Sequence, residues 1–325
     1  MIFGKSKTYT ILVIIGILFL FLPLFVGSYL QHIFIFIFFY AYLSQCWNIL
    51  GGYAGQFSLG NAAFFGVGAY TSSFLFAHFY LSPWIGMFIG AFISLLLGLA
   101  IAYVSFRFGL RDAFFALATM AFAEILRLLL LNSSTFGGAQ GILLPLRSNS
   151  IIAFQFDEKL PFYYISFAMM LLSILFVYLL ERSRMGYYFK AIHQNEDSAK
   201  ALGVDTRKYK IIATGMSAFL TAFGGTFYAQ YFMYIQPDIT FGVFMSFDIM
   251  LRSIIGGMGT LAGPIIGSCI LTPLGEITRA FFGAKSGVHL MIYGAVLVFV
   301  CLFLPKGVYP SLKEMFTRSK TSNRI

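Results

Sequence analysis

Three acid–base pairs stand inside long apolar stretches: Glu124 with Arg127, Asp248 with Arg252, and Glu276 with Arg279. Spacings of three or four residues put both groups of a pair on one helix face. An ionisable side chain in such a stretch is a candidate functional residue, and the same pair serves equally well as a neutralised structural unit. If it is structural, removing one partner strands a charge and does more harm than removing both.

Residues for covalent or metal chemistry are not arranged for it. The chain has no phosphate loop ending in Gly-Lys-Ser/Thr, and no His-Glu-x-x-His, Cys-x-x-Cys or Gly-x-Ser-x-Gly pattern. His32, His78, His193 and His289 are scattered, and Cys46, Cys269 and Cys301 fall in apolar runs as small core residues. The expectation is no catalytic residue, no metal and no cofactor held by this chain.

Polar and small residues gather at two further places. In the stretch 50–69, Ser58, Ala62 and Gly66 recur every four residues and would form one thin helix face for close packing in lipid. Alternatively, Gln56, Ser58 and Asn61 line a polar path beside that face. The second place is Gly256-Gly-Met-Gly-Thr-Leu-Ala-Gly-Pro264, where Gly256, Gly257 and Gly259 with the proline interrupt helix continuity. That cluster forms either a break lining a path or a tight turn between spans.

The longest polar segment between apolar spans, about 182–208, contains a short amphipathic sequence. Glu196, Asp197, Ser198, Ala199, Lys200, Ala201 and Leu202 can form a helix stopped by Gly203. A solvent-facing helix on the basic side of a membrane gives a second protein something to push on. Ala199 is the position expected to crosslink to such a partner.

These groups need a scaffold, and composition names it. Of 325 residues, 59% are hydrophobic, 10% are charged and forty are Phe. The class is therefore an all-α polytopic transmembrane helix bundle, since the apolar runs are continuous and too long for barrel strands. Apolar runs near 9–27, 30–50, 57–79, 84–106, 113–131, 162–180, 209–232, 243–260, 264–282 and 288–304 make about ten spans. Residues 1–325 read as one transmembrane domain with a basic tail at 305–325. Sixteen of the twenty-two Lys and Arg fall before the first span, at 107–111, at 181–210 and after Leu304. Ten spans place all four groups on one face, so both termini are expected in the cytoplasm, and the net charge of +10 reflects orientation rather than nucleic-acid binding. The long external loop 132–161 carries Phe136-Gly-Gly-Ala-Gln-Gly141 and suits a short lid helix or plain loop.

Residues 48–70, Phe115-Ala-Leu-Ala-Thr-Met-Ala-Phe-Ala-Glu-Ile-Leu-Arg127, the 196–203 segment and the 256–264 glycine block occur in an order that resembles the branched-chain amino acid ABC-transporter permeases of LivM type. The resemblance implies a type II importer fold, with 196–203 as the coupling helix, the element called the EAA loop. It implies a bacterial inner-membrane subunit paired with a homologous LivH-type permease, two cytoplasmic ATPase subunits that carry ATP and Mg, and a periplasmic substrate-binding protein. The chain departs from the pattern at Gln140, where the family often has an acid or Asn, at Arg252, usually apolar, and in lacking a Leu-Pro ending after its coupling helix. A urea or short-chain amide importer permease shares the same glycine blocks. A secondary transporter would instead need an ion-coupling acid and no docking helix.

Overall fold

A computed structural model gives the architecture, and it describes residues 16, 19–146, 150–282, 288–304 and 307–322. Among them, seven helices are long and apolar enough to cross a membrane. The first, Ser28–Asn48 (α1), continues through a wide turn at Ile49–Tyr53. Then come Asn61–Phe79 (α2), Pro83–Arg107 (α3), Asp112–Leu131 (α4), Leu160–Arg182 (α5) and, after two short helices, Thr206–Phe232 (α8). The short helices are Arg184–Gln194 (α6) and Glu196–Ala201 (α7). A turn of helix at Pro237–Thr240 (α9) leads into Val243–Gly256 (α10), followed by Gly263–Phe282 (α11), Val288–Phe303 (α12) and Val308–Ser322 (α13). The seventh spanning segment combines α9 and α10. About half of the expected first span, 9–27, lies outside the described residues, as does the side chain of Cys301.

Burial orders the bundle. The spanning window of α1 is 83% buried and that of α4 only 22%, so α1 is the central post and α4 a peripheral one. Without a hydrophobic drive between helices in lipid, close backbone approach must hold α2, α3 and α8 together. Gly68 does this work: a Cβ there would lie 2.1 Å from the Ala222 carbonyl of α8. Gly225 of α8 meets the Phe65 carbonyl in the same way, and Gly98 of α3 meets Ala218. Hydrogen bonds stitch the same contact, with Thr226 Oγ1 donating to the Gly68 carbonyl (3.2 Å) and Ser94 Oγ to that of Ala218 (3.0 Å).

The expected Ser58, Ala62 and Gly66 face is therefore corrected. Ser58 lies outside α2, in an irregular segment before it, and Gly66 makes room for the Phe241 ring rather than for a helix backbone. The glycine that admits a neighbouring helix is Gly68, two residues on. Cys269 is also corrected, because it is exposed on the outside of the bundle. The interrupted eighth and ninth spans resolve into α10 and α11 joined by a tight turn, in which Gly257 (φ 124°) and Gly259 (φ 69°) adopt conformations that favour glycine. Of the two readings of that cluster, the turn is the one observed.

The two ends of the bundle differ. One end collects the 107–111 loop, α6, α7 and the 257–262 turn. The opposite end carries a two-stranded ladder in which Ile142 and Leu143 (β1) pair antiparallel with Ile235 and Tyr234 (β2). There Trp84 stacks on Phe154 at 4.4 Å and donates its indole N–H to Ile151 (2.7 Å). The 132–161 segment has no lid helix among its described residues, which form two single 3-10 turns, β1 and an isolated bridge between Ser150 and Gln155.

Candidate functional site

Polar caps build the end that carries α6 and α7. Ser183 accepts from the Gly186 N–H to start α6, Asn195 accepts from the Ser198 N–H (2.8 Å) to start α7, and Asp205 accepts from the Lys208 N–H to start α8. Gly203, at φ 84°, closes α7 where the sequence placed the stop. Glu196 ties this helix to the bundle. Its carboxylate meets Lys210 Nζ at the root of α8 (3.0 Å), Lys200 Nζ (2.9 Å) and Arg111 Nε (3.9 Å), while Thr206 Oγ1 donates to it (3.1 Å). Burial raises the Glu196 carboxyl, but the hydrogen bonds and charges of Lys200 and Lys210 prevail and hold it down at about 2. Arg111 reaches Asp197 as well (3.3 Å). Of the eight residues expected to couple, Ala199 turns inward and is only 3% exposed, whereas Leu202 is 84% exposed. The expected crosslinking position is thus corrected from Ala199 to its outward neighbours.

Just above α6 runs the connection between α1 and α2. His193 packs so tightly on Gly55 that a Cβ there would lie 3.0 Å from its Cα, and Gly55 sits at φ 68°. Residues 54–60 are not helical, although most of them are buried. Helix α2 therefore starts inside the bundle: Asn61 Nδ2 reaches Ser217 Oγ and Thr221 Oγ1 (both 3.4 Å) near the middle of α8, and the Ala62 N–H donates to Ser246 Oγ (2.9 Å). Non-helical backbone at that depth needs internal partners. Trp47 Nε1 supplies one to the Ser58 carbonyl (2.9 Å), Ser58 Oγ accepts from the Gly60 N–H (3.2 Å), and Thr119 Oγ1 accepts from the Leu59 N–H (3.2 Å). Gln56 is buried, its backbone N–H donating to the Leu50 carbonyl (3.0 Å) and its side-chain amide to that of Ala54 (3.2 Å).

Asn48 joins this break to the glycine turn. Its Nδ2 donates to the Thr260 carbonyl (2.9 Å), and its Oδ1 accepts from the Gly259 N–H (2.9 Å) and Ser253 Oγ (3.3 Å). Gly52 leaves the space this carboxamide occupies, since a Cβ there would sit 1.9 Å from Asn48 Oδ1. Sequence reasoning passed over Asn48 as a site residue. Its signal was an amide at the end of a twenty-residue apolar run, where a polar group demands a partner.

The intramembrane pairs divide. Glu124 and Arg127 do pair (2.5 and 2.9 Å), and Arg127 also binds Asp238 from α9, a partner remote in sequence. Arg252 pairs with Asp248, donates to its backbone carbonyl (2.6 Å) and lies over the Tyr40 ring at 3.7 Å. Tyr40 stands halfway along Ser28–Tyr53, so this pair is at mid-depth of the bundle. For Glu276 the expected partner, Arg279, has its side chain outside the described residues.

Comparison with known proteins identifies the scaffold. A family model described as "Branched-chain amino acid transport system / permease component" matches residues 29–301. The high-affinity branched-chain amino acid transport system permease protein LivM of Escherichia coli K12 is 23% identical over 81% of this chain and 66% of its own length. The probable branched-chain amino acid transport permease protein LivM of Methanocaldococcus jannaschii is 24% identical over 62% of this chain and 61% of its own. The LivH permease of Salmonella typhimurium is 26% identical over 43% of each chain. The chain thus spans about two thirds of the length of the LivM relatives it matches, and no solved structure matches it significantly. With the family pattern covering every spanning helix from α1 through most of α12, this multi-pass membrane chain belongs to the branched-chain amino acid transport system permease component family.

Proposed function

We propose that the chain is one permease subunit of an ATP-driven importer that passes branched-chain, aliphatic amino acids across the bacterial inner membrane. It contributes half of the pore and no catalytic residue. A LivH-type permease completes the pore, two cytoplasmic ATPase subunits bind ATP and Mg, and a periplasmic protein delivers the amino acid. The carrying observation is α7: a short helix ending at an outward Leu202, fastened through Glu196 to Lys210 and Arg111 and following directly on α6, whose His193 lies against the segment that breaks α1 from α2.

In this reading the ATPase dimer grips α7 and closes on ATP. The push passes from α6 through His193 to Gly55, and so to the non-helical 54–60 segment. Packed helices answer such a push by switching between two arrangements rather than by bending gradually. One arrangement opens the pore outward and the other inward, and the ATPases bias the choice through their different grip on each. Small polar groups such as Ser58 and Asn61 suit brief contact with a zwitterion, leaving selectivity to the delivering protein.

The test is crosslinking combined with uptake in cells that carry the full set of subunits. Leu202→Cys or Ser198→Cys should crosslink to a cysteine in the ATPase groove, and Ala199→Cys should not. Leucine uptake should stop when the ATPases are deleted. Undiminished uptake without them would sink the proposal in favour of a secondary transporter.

A further inference from the structure

A polar cleft of about 400 Å³ opens beside α7, between the α3–α4 connection and the start of α8. Arg107, Arg111, Lys200, Arg207 and Lys210 line it. Glu196 and Asp205 are the only acids in its wall, and Glu196 is already shared among three of those cations. Asp205 is engaged in capping α8. Arg107 donates a long bond to Tyr103 Oη (3.4 Å) and lies 5.9 Å from the centre of that ring, and among the described residues neither Arg107 nor Arg207 makes a salt bridge. Among the described residues, then, neither Arg107 nor Arg207 of the cleft has an acidic partner.

What surrounds the cleft indicates the anion that would satisfy them. Arg107 ends α3 and Arg111 precedes α4, and both helices show bare apolar faces at this level. Tyr103, Val104, Phe108, Phe114 and Leu117 are exposed, three of them by more than half. A ligand with a negative head and apolar tails would meet both surfaces at once, and a soluble anion would meet only the first. Basic pockets at the cytoplasmic end of spanning helices recognise lipid head groups on this principle, and arginine binds phosphate oxygens in a forked, charge-assisted geometry.

We propose that this cleft binds the phosphate of an anionic phospholipid, with its acyl chains along the exposed faces of α3 and α4. The bound head group bridges the 107–111 connection to α7 and the root of α8. It fastens the coupling lever to the membrane surface and makes the lever's stiffness depend on the lipid around it. This site is additional to the ATPase contact, which uses the outward face of α7.

Full-length chain in neutral detergent micelles provides the test, titrated with phosphatidylglycerol, phosphatidylcholine or inorganic phosphate. Thermal unfolding and native mass spectrometry of bound lipid are the readouts. Phosphatidylglycerol should bind and raise Tm, while phosphatidylcholine and inorganic phosphate should not. Arg107→Gln/Arg207→Gln should weaken phosphatidylglycerol binding on the order of tenfold, with an unchanged Tm when no lipid is added. Arg207→Gln alone should show part of that loss, which keeps the test decisive if the double variant folds poorly. Arg184→Gln/Lys208→Gln removes two exposed charges outside the cleft wall and should bind as the parent does. Equal weakening in both double variants would reduce the effect to diffuse attraction and overturn the site. A Tm rise reproduced by inorganic phosphate would overturn the lipid as its occupant, and equal binding of both lipids would overturn it as well.

Discussion

At the scale of single residues, the side chains that matter most are those whose partners lie far away in sequence. Asn48 satisfies backbone groups of a turn more than two hundred residues on, at full burial. Asn48→Leu would leave the Gly259 N–H and Thr260 carbonyl without it, at a cost of about 2 kcal/mol or more. A fall in Tm of the purified chain, compared with a surface control such as Lys208→Gln, measures this. An unchanged Tm would show that water replaces the amide. Arg127 reverses the expectation drawn from its helix neighbour alone. Asp238 gives it a second carboxylate, so Glu124→Ala leaves the arginine paired, whereas Arg127→Ala leaves two acids facing each other. Arg127→Ala should therefore lower folded yield more than Glu124→Ala, by about 1 kcal/mol of stability because the three groups are partly exposed. The comparison is made by fluorescence-detected chromatography of the two variants, and equal yields would refute the three-group arrangement.

At the scale of elements, α7 is held by the Glu196 carboxylate, with the Asn195 cap and the Arg111–Asp197 pair beside it, because six residues are too few to hold a helix alone. The folded Glu196 carboxyl stands at about 2, below its ordinary 4.5, so its stabilising effect is complete above pH 4.5 and disappears as the pH falls to 2. Protease nicking of the 196–203 segment should accordingly rise over that interval in the parent chain. In Glu196→Gln the nicking should be high and flat throughout, and a parent profile as flat as the variant's would contradict the anchoring role. The broken element between α1 and α2 has a different logic. A helix of apolar residues would run on through 54–60, but Gly55 in a left-handed conformation and the hydrogen bonds from Trp47 and Thr119 give the irregular backbone a stable alternative. The periodicity of Ser58, Ala62 and Gly66 assumed unbroken helix and so pointed at the wrong glycine. Only the neighbours of Gly68, on α8, show which small residue admits a backbone.

At the scale of the molecule, the charged end and the β-ladder end imply opposite sides of a membrane. With the basic loops in the cytoplasm, Leu202→Cys should react with an impermeant maleimide only in inverted vesicles. Leu146→Cys, 87% exposed near the ladder, should react only in intact spheroplasts. The reverse pattern would overturn the orientation and the placement of the ATPases with it. The sequence by itself determined the all-helical membrane class, most of the spans, the short helix at 196–201 with its glycine stop and the family. Those properties follow from local composition, from helix period and from motifs contiguous along the chain. Tertiary structure decided the rest. The Asn48 clasp, the third member of the Arg127 group, the mid-bundle start of α2, the inward turn of Ala199 and the basic cleft each join residues from separate helices. A hydrogen bond or an ion pair depends on distance in space, and a one-dimensional pattern holds no record of which helices become neighbours.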